Sequence, residues 1–335
     1  MKTRCSWCAA VLLAGCGAAS GQIDTEPANN TAFGGDNLFP GFTPFNSARV
    51  NVAGLGAGDV DYFNFDALTG DVMVGVTTPL GVPFNSPDTL MQFWDGIGGV
   101  PVGPVNDDAG SHNVPGSTRG SAVRARMPQT GNWSFGVTGF GDPGFIGAHA
   151  EAGPYAVTIG RFPINAAPGT GDFADVAANN VFAGASSLNL AGAGSAVAAT
   201  ASLDATAPDV DFYSVDLFAG DILTAITVPL GLDFNSPDTL LAVYDAGGTQ
   251  LVLNDDGGSD FAPGGVGVPR GSVVRFLAPA SGRYYVGVTG FNDAGFAGLH
   301  GFSGPYGLAA SIIPAPGAAG LAAVGLLARA RRRRS

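Results

Sequence analysis

Acidic side chains recur in this sequence as two matched sets. Asp59, Asp61, Asp88, Asp107 and Asp108 correspond to Asp209, Asp211, Asp238, Asp255 and Asp256. Clustered carboxylates beside Asn and backbone carbonyls suit Ca²⁺, a hard cation that takes six to eight oxygen ligands and is plentiful outside cells. The alternative is turn chemistry, in which Asp and Asn end strands by bonding nearby backbone amides. Neither Asp-x-Asp nor Asn-Asp-Asp-Gly-Gly matches an EF-hand loop, and Gly257-Gly258-Ser259-Asp260 lacks the repeated nonapeptide of calcium-binding β-rolls. Asp61 shares a strand face with Phe63, so its carboxylate is expected at the edge of the core, offset by a cation or by backbone amides.

Catalytic patterns are sparse. The three histidines are His112, His149 and His300, the last two in equivalent places. There is no Gly-x-Ser-x-Gly elbow and no His-Glu-x-x-His helix, so the expectation is a non-enzyme with structural or solvent-facing histidines. Two carboxylates at the right separation would suffice for glycoside hydrolysis, which keeps a secreted hydrolase as the competing class. Tyr62, Trp94 and Phe140, with Phe212, Tyr244 and Phe291, would form either a stacking platform on a sheet face or part of a core.

The elements that must position these residues come from a duplication. Asp59-Val60-Asp61-Tyr62-Phe63 returns as Asp209-Val210-Asp211-Phe212-Tyr213, and Phe84-Asn85-Ser86-Pro87-Asp88-Thr89-Leu90 returns from Phe234 to Leu240. Val137-Thr138-Gly139-Phe140 matches Val288-Thr289-Gly290-Phe291, and Gly153-Pro154-Tyr155 matches Gly304-Pro305-Tyr306. A period this long is a whole domain. Apolar residues alternate with period two, as at Val72, Val74 and Val76 or Tyr284, Val286 and Val288. With 53 Gly and 23 Pro punctuating such runs and a single Lys, many short strands are expected rather than a helical bundle. The predicted class is all-β, two tandem antiparallel β-sandwich domains of jelly-roll type, over 23–164 and 172–313 with a linker at 165–171.

The ends read as addresses. Residues 1–22 carry Lys2 and Arg4, an apolar stretch and small residues at Ala18-Ala19-Ser20-Gly21, the pattern of a secretory signal peptide. Leu13-Ala14-Gly15-Cys16 resembles a lipobox, so lipidation of Cys16 stands beside ordinary cleavage. All three cysteines lie in this leader, which leaves no disulfide in the exported chain. Residues 314–335 hold Pro314-Ala315-Pro316, an apolar run to Ala328 and an arginine cluster. That run is shorter than the roughly 20 residues a spanning helix needs, so transient membrane anchoring is expected. Seven of the 15 basic residues sit in these two ends while all 27 acidic ones lie between Asp24 and Asp293, so nucleic acid is not an expected partner.

Two resemblances follow. Pro-x-Pro, a Gly/Ala/Leu segment and an Arg-rich terminus resemble the PEP-CTERM sorting signal, which implies removal by an exosortase-type enzyme during delivery to the surface. Asp209-x-Asp211-x-Tyr213, Asp238 to Asp245, Asn254-Asp255-Asp256-Gly257-Gly258 and Ala278 to Val286 resemble, in order, the bacterial pre-peptidase C-terminal domain. That resemblance implies an extracellular binding or stabilising module. The expectation is an exported, non-enzymatic surface or extracellular-matrix protein, adhesive or structural, with calcium as its possible cofactor and an extracellular polysaccharide or surface protein as partner. An accessory subunit of a secreted peptidase is the alternative beside the hydrolase.

Overall fold

A computed structural model describes residues 31–314, apart from 32–34, 42–44, 82–83, 97–98, 117, 165, 177, 232–233, 235 and 263–269. The leader over 1–22, with Cys16, lies outside the described residues, as does the tail beyond Pro314, with Pro316. Among the described residues no helix is long and apolar enough to cross a membrane.

Short alternating runs closed by Gly, Pro, Asn and Asp become strands throughout. The N-terminal half supplies β1 (Asp36–Phe39), β2 (Ser47–Leu55), β3 (Asp61–Ala67), β4 (Val72–Pro79), β5 (Thr89–Asp95), β6 (Val100–Asp107), β7 (Ser111–His112), β8 (Ala122–Arg126), β9 (Gly131–Gly139) and β10 (Gly153–Phe162). The C-terminal half supplies β11 (Thr170–Gly171), β12 (Ser186–Ser187), β13 (Ser195–Leu203), β14 (Asp211–Leu217), β15 (Ile222–Pro229), β16 (Thr239–Asp245), β17 (Gln250–Asn254), β18 (Ser259–Phe261), β19 (Val273–Leu277), β20 (Gly282–Gly290) and β21 (Gly304–Ile313). The expected all-β sandwich class is what the chain adopts.

The strands form four sheets, of order β1-β3-β9-β5-β6, β18-β8-β4-β10-β2, β11-β13-β21-β15-β19-β7 and β12-β14-β20-β16-β17. The first two face each other across Phe63, Phe65, Phe93, Phe135, Tyr155 and Ile159. The last two enclose Tyr213, Leu223, Val274, Val286, Tyr306 and Leu308. The middle two sheets also meet, back to back, through Val74, Val76, Phe162, Ile226, Val228 and Ala309. The result is four layers with three apolar seams.

This stacking changes what alternation means. A period-two strand in an isolated sandwich has one wet face, yet all eight residues of β4 and all eight of β15 are buried. Hydroxyls on the shared seam find each other, Thr78 Oγ1 with Thr224 Oγ1 at 2.9 Å and Thr158 Oγ1 with Ser311 Oγ at 2.7 Å, so no polar group is stranded there by these pairs. Gly307 leaves room for the Phe162 ring, which would lie 2.5 Å from a Cβ at that position.

The halves also exchange strands. β18 of the C-terminal half pairs in parallel with β8 of the N-terminal half, Asp260 opposite Arg124. Reciprocally, β7 pairs in parallel with β19, His112 opposite Arg275. The two halves are therefore joined by ladders as well as by apolar contact.

Candidate metal centre

Each exchanged strand is preceded by an acidic loop. Strand β6 ends at Asp107, followed by Asp108, Ala109 and Gly110, and then β7; β17 ends at Asn254, followed by Asp255, Asp256, Gly257 and Gly258, and then β18. Asn106 fixes the first loop by accepting from the Ala122 amide at 2.7 Å, and Asn254 fixes the second by accepting from Val273 at 2.7 Å. Asp108 adopts φ 48°, in the left-handed region that Asp tolerates better than most residues.

These loops bring together Asp88, Asp107 and Asp108 in one half and Asp238, Asp255 and Asp256 in the other. In each triad one carboxylate oxygen per residue lies within 4.8 Å of the others. Oxygens at such separations can share one ion with bonds of roughly 2.3 to 2.6 Å, the calcium range. Asp88 and Asp238 immediately precede the strands β5 and β16, each just after a cis Ser-Pro peptide, Ser86-Pro87 and Ser236-Pro237. Both are buried, at 2% and 5% exposure, and in both the Oδ1 atom has no hydrogen-bond partner. Their Oδ2 atoms pair with Arg119 and Arg270 respectively. Glu151 lies beside the first triad without joining it, accepting from the Asp88 amide at 2.9 Å.

Crowded acids repel, and burial compounds it. Burial, then the charges of Asp107 and Asp88, push Asp108 up to about 6. Burial, then Asp238 and Asp255, push Asp256 up to about 6. Asp88, Asp107, Asp238 and Asp255 are also raised, with burial as the main cause in each. A divalent cation would relieve exactly this repulsion, and the carboxylate-only donor set with buried, unpartnered oxygens fits a hard ion.

The remaining predicted acids do not join the triads. Asp59 closes its own turn, accepting from Gly56 at 3.2 Å and Val60 at 2.9 Å. Asp209 accepts from the Asp204 amide at 2.7 Å. Asp61 is fully buried, and its Oδ2 accepts from the Tyr155 hydroxyl at 2.6 Å. The expected cation or backbone amides give way at that oxygen to a phenol from the facing sheet. Asp211 is held likewise by Tyr306 at 2.6 Å, and Tyr306 meets Tyr213 at 3.0 Å.

A second acidic locale lies beside Asp211. Asp175, Asp209 and Asp211 line a cleft of about 330 Å³ with Asn179 and Asn180. Burial is the largest cause raising all three, and the charge of Asp175 adds to it at Asp211, which stands well above the ordinary carboxylate range.

Two of the three histidines serve the backbone, His149 Nε2 lying 2.7 Å from the Asp59 carbonyl and His300 Nε2 3.0 Å from that of Asp209, whereas neither ring nitrogen of His112 has a hydrogen-bond partner among the described residues. Tyr62 and Trp94 form one buried cluster, Phe212 and Tyr244 another. Phe140 and Phe291 are the exposed members of the six. Sequence reasoning missed Arg119 and Arg270, and the buried Arg124 and Arg275. The repeated Arg-Gly-Ser at 119–121 and 270–272, and Val-Arg at 123–124 and 274–275, carried the signal.

Residues 209–290 match the bacterial pre-peptidase C-terminal domain, a domain associated with bacterial extracellular proteins. No curated protein matches the chain. Among solved structures it is similar to the periplasmic g-type lysozyme inhibitor PliG of Aeromonas hydrophila, with 19% identity over 35% of this chain and 85% of that one and a TM-score of 0.24. The ANX2 ectodomain of Arabidopsis thaliana shares 8% identity over 88% of this chain and 94% of its own, with a TM-score of 0.21. A Paenibacillus xanthan lyase shares 13% over 78% of this chain and 24% of its own, with a TM-score of 0.21.

Proposed function

We propose that this is an exported, non-enzymatic surface or extracellular-matrix protein, in which two sandwiches act as structural and adhesive modules and calcium holds the triad loops. The observation that carries the calcium part is the same one in both halves: three converging carboxylates whose most buried member keeps an unpartnered oxygen. The extracellular setting rests on the pre-peptidase C-terminal domain at 209–290. An extracellular polysaccharide or surface protein is the proposed partner, and the PEP-CTERM-like tail its route to the surface through an exosortase-type enzyme. The test is retention of the exported chain on washed extracellular polysaccharide with calcium and with a chelator. Retention only with calcium is expected; no retention in either condition would remove the adhesive role.

A second reading is favoured by the cleft shared by Asp175, Asp209 and Asp211, where burial raises all three carboxyls as an acid catalyst requires. Under it the chain is a secreted hydrolase. Turnover of polysaccharide that is lost in Asp211→Asn would establish that reading in place of the first.

A further inference from the structure

The two acidic loops meet each other. A Cβ at Gly257 would lie 2.9 Å from the Gly110 amide nitrogen, so the loop that carries Asp255 and Asp256 abuts the one that carries Asp107 and Asp108. Just past each triad, a loop carbonyl accepts from an arginine of the opposite half. Ala109 O takes Nη1 of Arg275 at 2.6 Å, and Gly257 O takes Nη1 of Arg124 at 2.7 Å. The same guanidinium groups reach the opposite inner sheet, Arg275 Nε to Thr77 O at 2.9 Å and Arg124 Nε to Thr227 O at 2.8 Å. Beyond these carbonyls the chain runs directly into β7 or β18, which complete the other half's inner sheet.

On these grounds we infer that the two triads are divalent-cation sites that act together as a clasp: an ion on one loop fixes the strand which that loop delivers to the opposite half, and so prepares the second site. This rests on the calcium reading above and adds to it a coupling between the sites and the strand exchange. The physical course is short. A cation drawn to Asp88, Asp107 and Asp108 orders the segment Asp107 to Gly110, whose carbonyl holds Arg275 and whose continuation is β7. Arg275 lies on β19, which sits beside β15, and Arg270 at the second triad enters that same strand through Gly271 and Ser272. The mirror route runs from Asp255 and Asp256 through Gly257 to Arg124 on β8. Each loop therefore supports a strand whose own N-terminal approach carries the arginine of the other triad. Two such sites bind with mutual assistance, because ordering done by the first ion need not be repeated for the second.

The experiment uses the whole exported chain, stripped with chelator and titrated with calcium chloride alone. Calorimetry counts ions and affinities, and hydrogen exchange follows the amides of β7 and β18. Two ions, with exchange slowed about tenfold or more in both strands, are expected, and coupling of about fivefold or more between the sites. In Asp107→Asn/Asp108→Asn the intact C-terminal triad should bind calcium more weakly by that factor, and calcium should no longer protect β7. Should that variant fold poorly, Asp255→Asn provides the mirror measurement, and wild-type exchange needs no variant. Two ions bound with protection confined to the triad loops would overturn the clasp and leave the calcium sites standing. Absence of any binding heat or exchange change would overturn both.

Discussion

Arg275 donates to the carbonyl of Thr77 through Nε at 2.9 Å and Nη2 at 2.6 Å, across 198 residues of chain. The guanidinium is 1% exposed, and burial pushes it down to about 9, which still leaves it cationic at pH 7. Replacing it by Met strands the Thr77 and Ala109 carbonyls inside the interface. Arg275→Met is expected to cost about 2 to 3 kcal/mol, read as a lower urea midpoint for the whole chain. Arg124→Met, which also deprives Asp260 of its partner at 3.2 Å, should cost at least as much.

Removing the ion should show as lost stability. A ligand bound only to the folded state at 100 times its dissociation constant contributes about 2.7 kcal/mol. Chelator is therefore expected to lower the melting temperature of the wild type. Asp88→Asn and Asp238→Asn should each lose one bound ion and part of that shift, measured by calcium-dependent scanning calorimetry.

The acids that stand at about 6 make the metal-free protein sensitive to pH. Asp108 and Asp256 bind protons more tightly folded than unfolded, so the folded state holds more protons between about pH 4 and pH 6. Their contribution is full below the unfolded value and falls as pH rises through the folded one. In chelator, Asp108→Asn/Asp256→Asn is expected to flatten the decline in melting temperature over that window. An unchanged slope would show that the triads do not titrate there.

Tyr155 and Asp61 offer a cleaner buried pair. Both are fully buried, and Tyr155→Phe removes the phenol donor at 2.6 Å, at an expected cost of about 1 to 3 kcal/mol in denaturant titration. In the C-terminal counterpart burial and Asp175 raise Asp211 well above the ordinary range. Asp211→Asn should then be close to neutral at pH 4 and stabilising at pH 8, as the amide needs no proton to remain uncharged.

Particular residues show how far the sequence could be read. Val72, Val74 and Val76 announced a strand with one apolar face, which the structure places on the seam between the halves while Met73 faces the sandwich core. That this same face, which also carries Thr78, would lie against Thr224 of the distant half was invisible, because period-two alternation describes one sheet and not what is stacked behind it. The triads were legible in part: Asp88 and Asp107 lie 19 positions apart, and only the pairing of β5 with β6, Leu90 opposite Asp107, brings them together. Asp59 and Asp61 had the same residue type and the same repetition, yet turn closure and a tyrosine claimed them. Repetition marks what a fold retains without saying for which purpose.

The stacked inner sheets have a consequence for the connecting segment near Ala167 and Pro168, both exposed. In a string of independent beads such a segment is the only thing that keeps neighbours in company, and a protease that cuts it sets them free. Here the exchanged strands and the shared seam would keep the two pieces assembled after the cut. A nick at that point would alter the covalent length of the molecule and leave the particle whole.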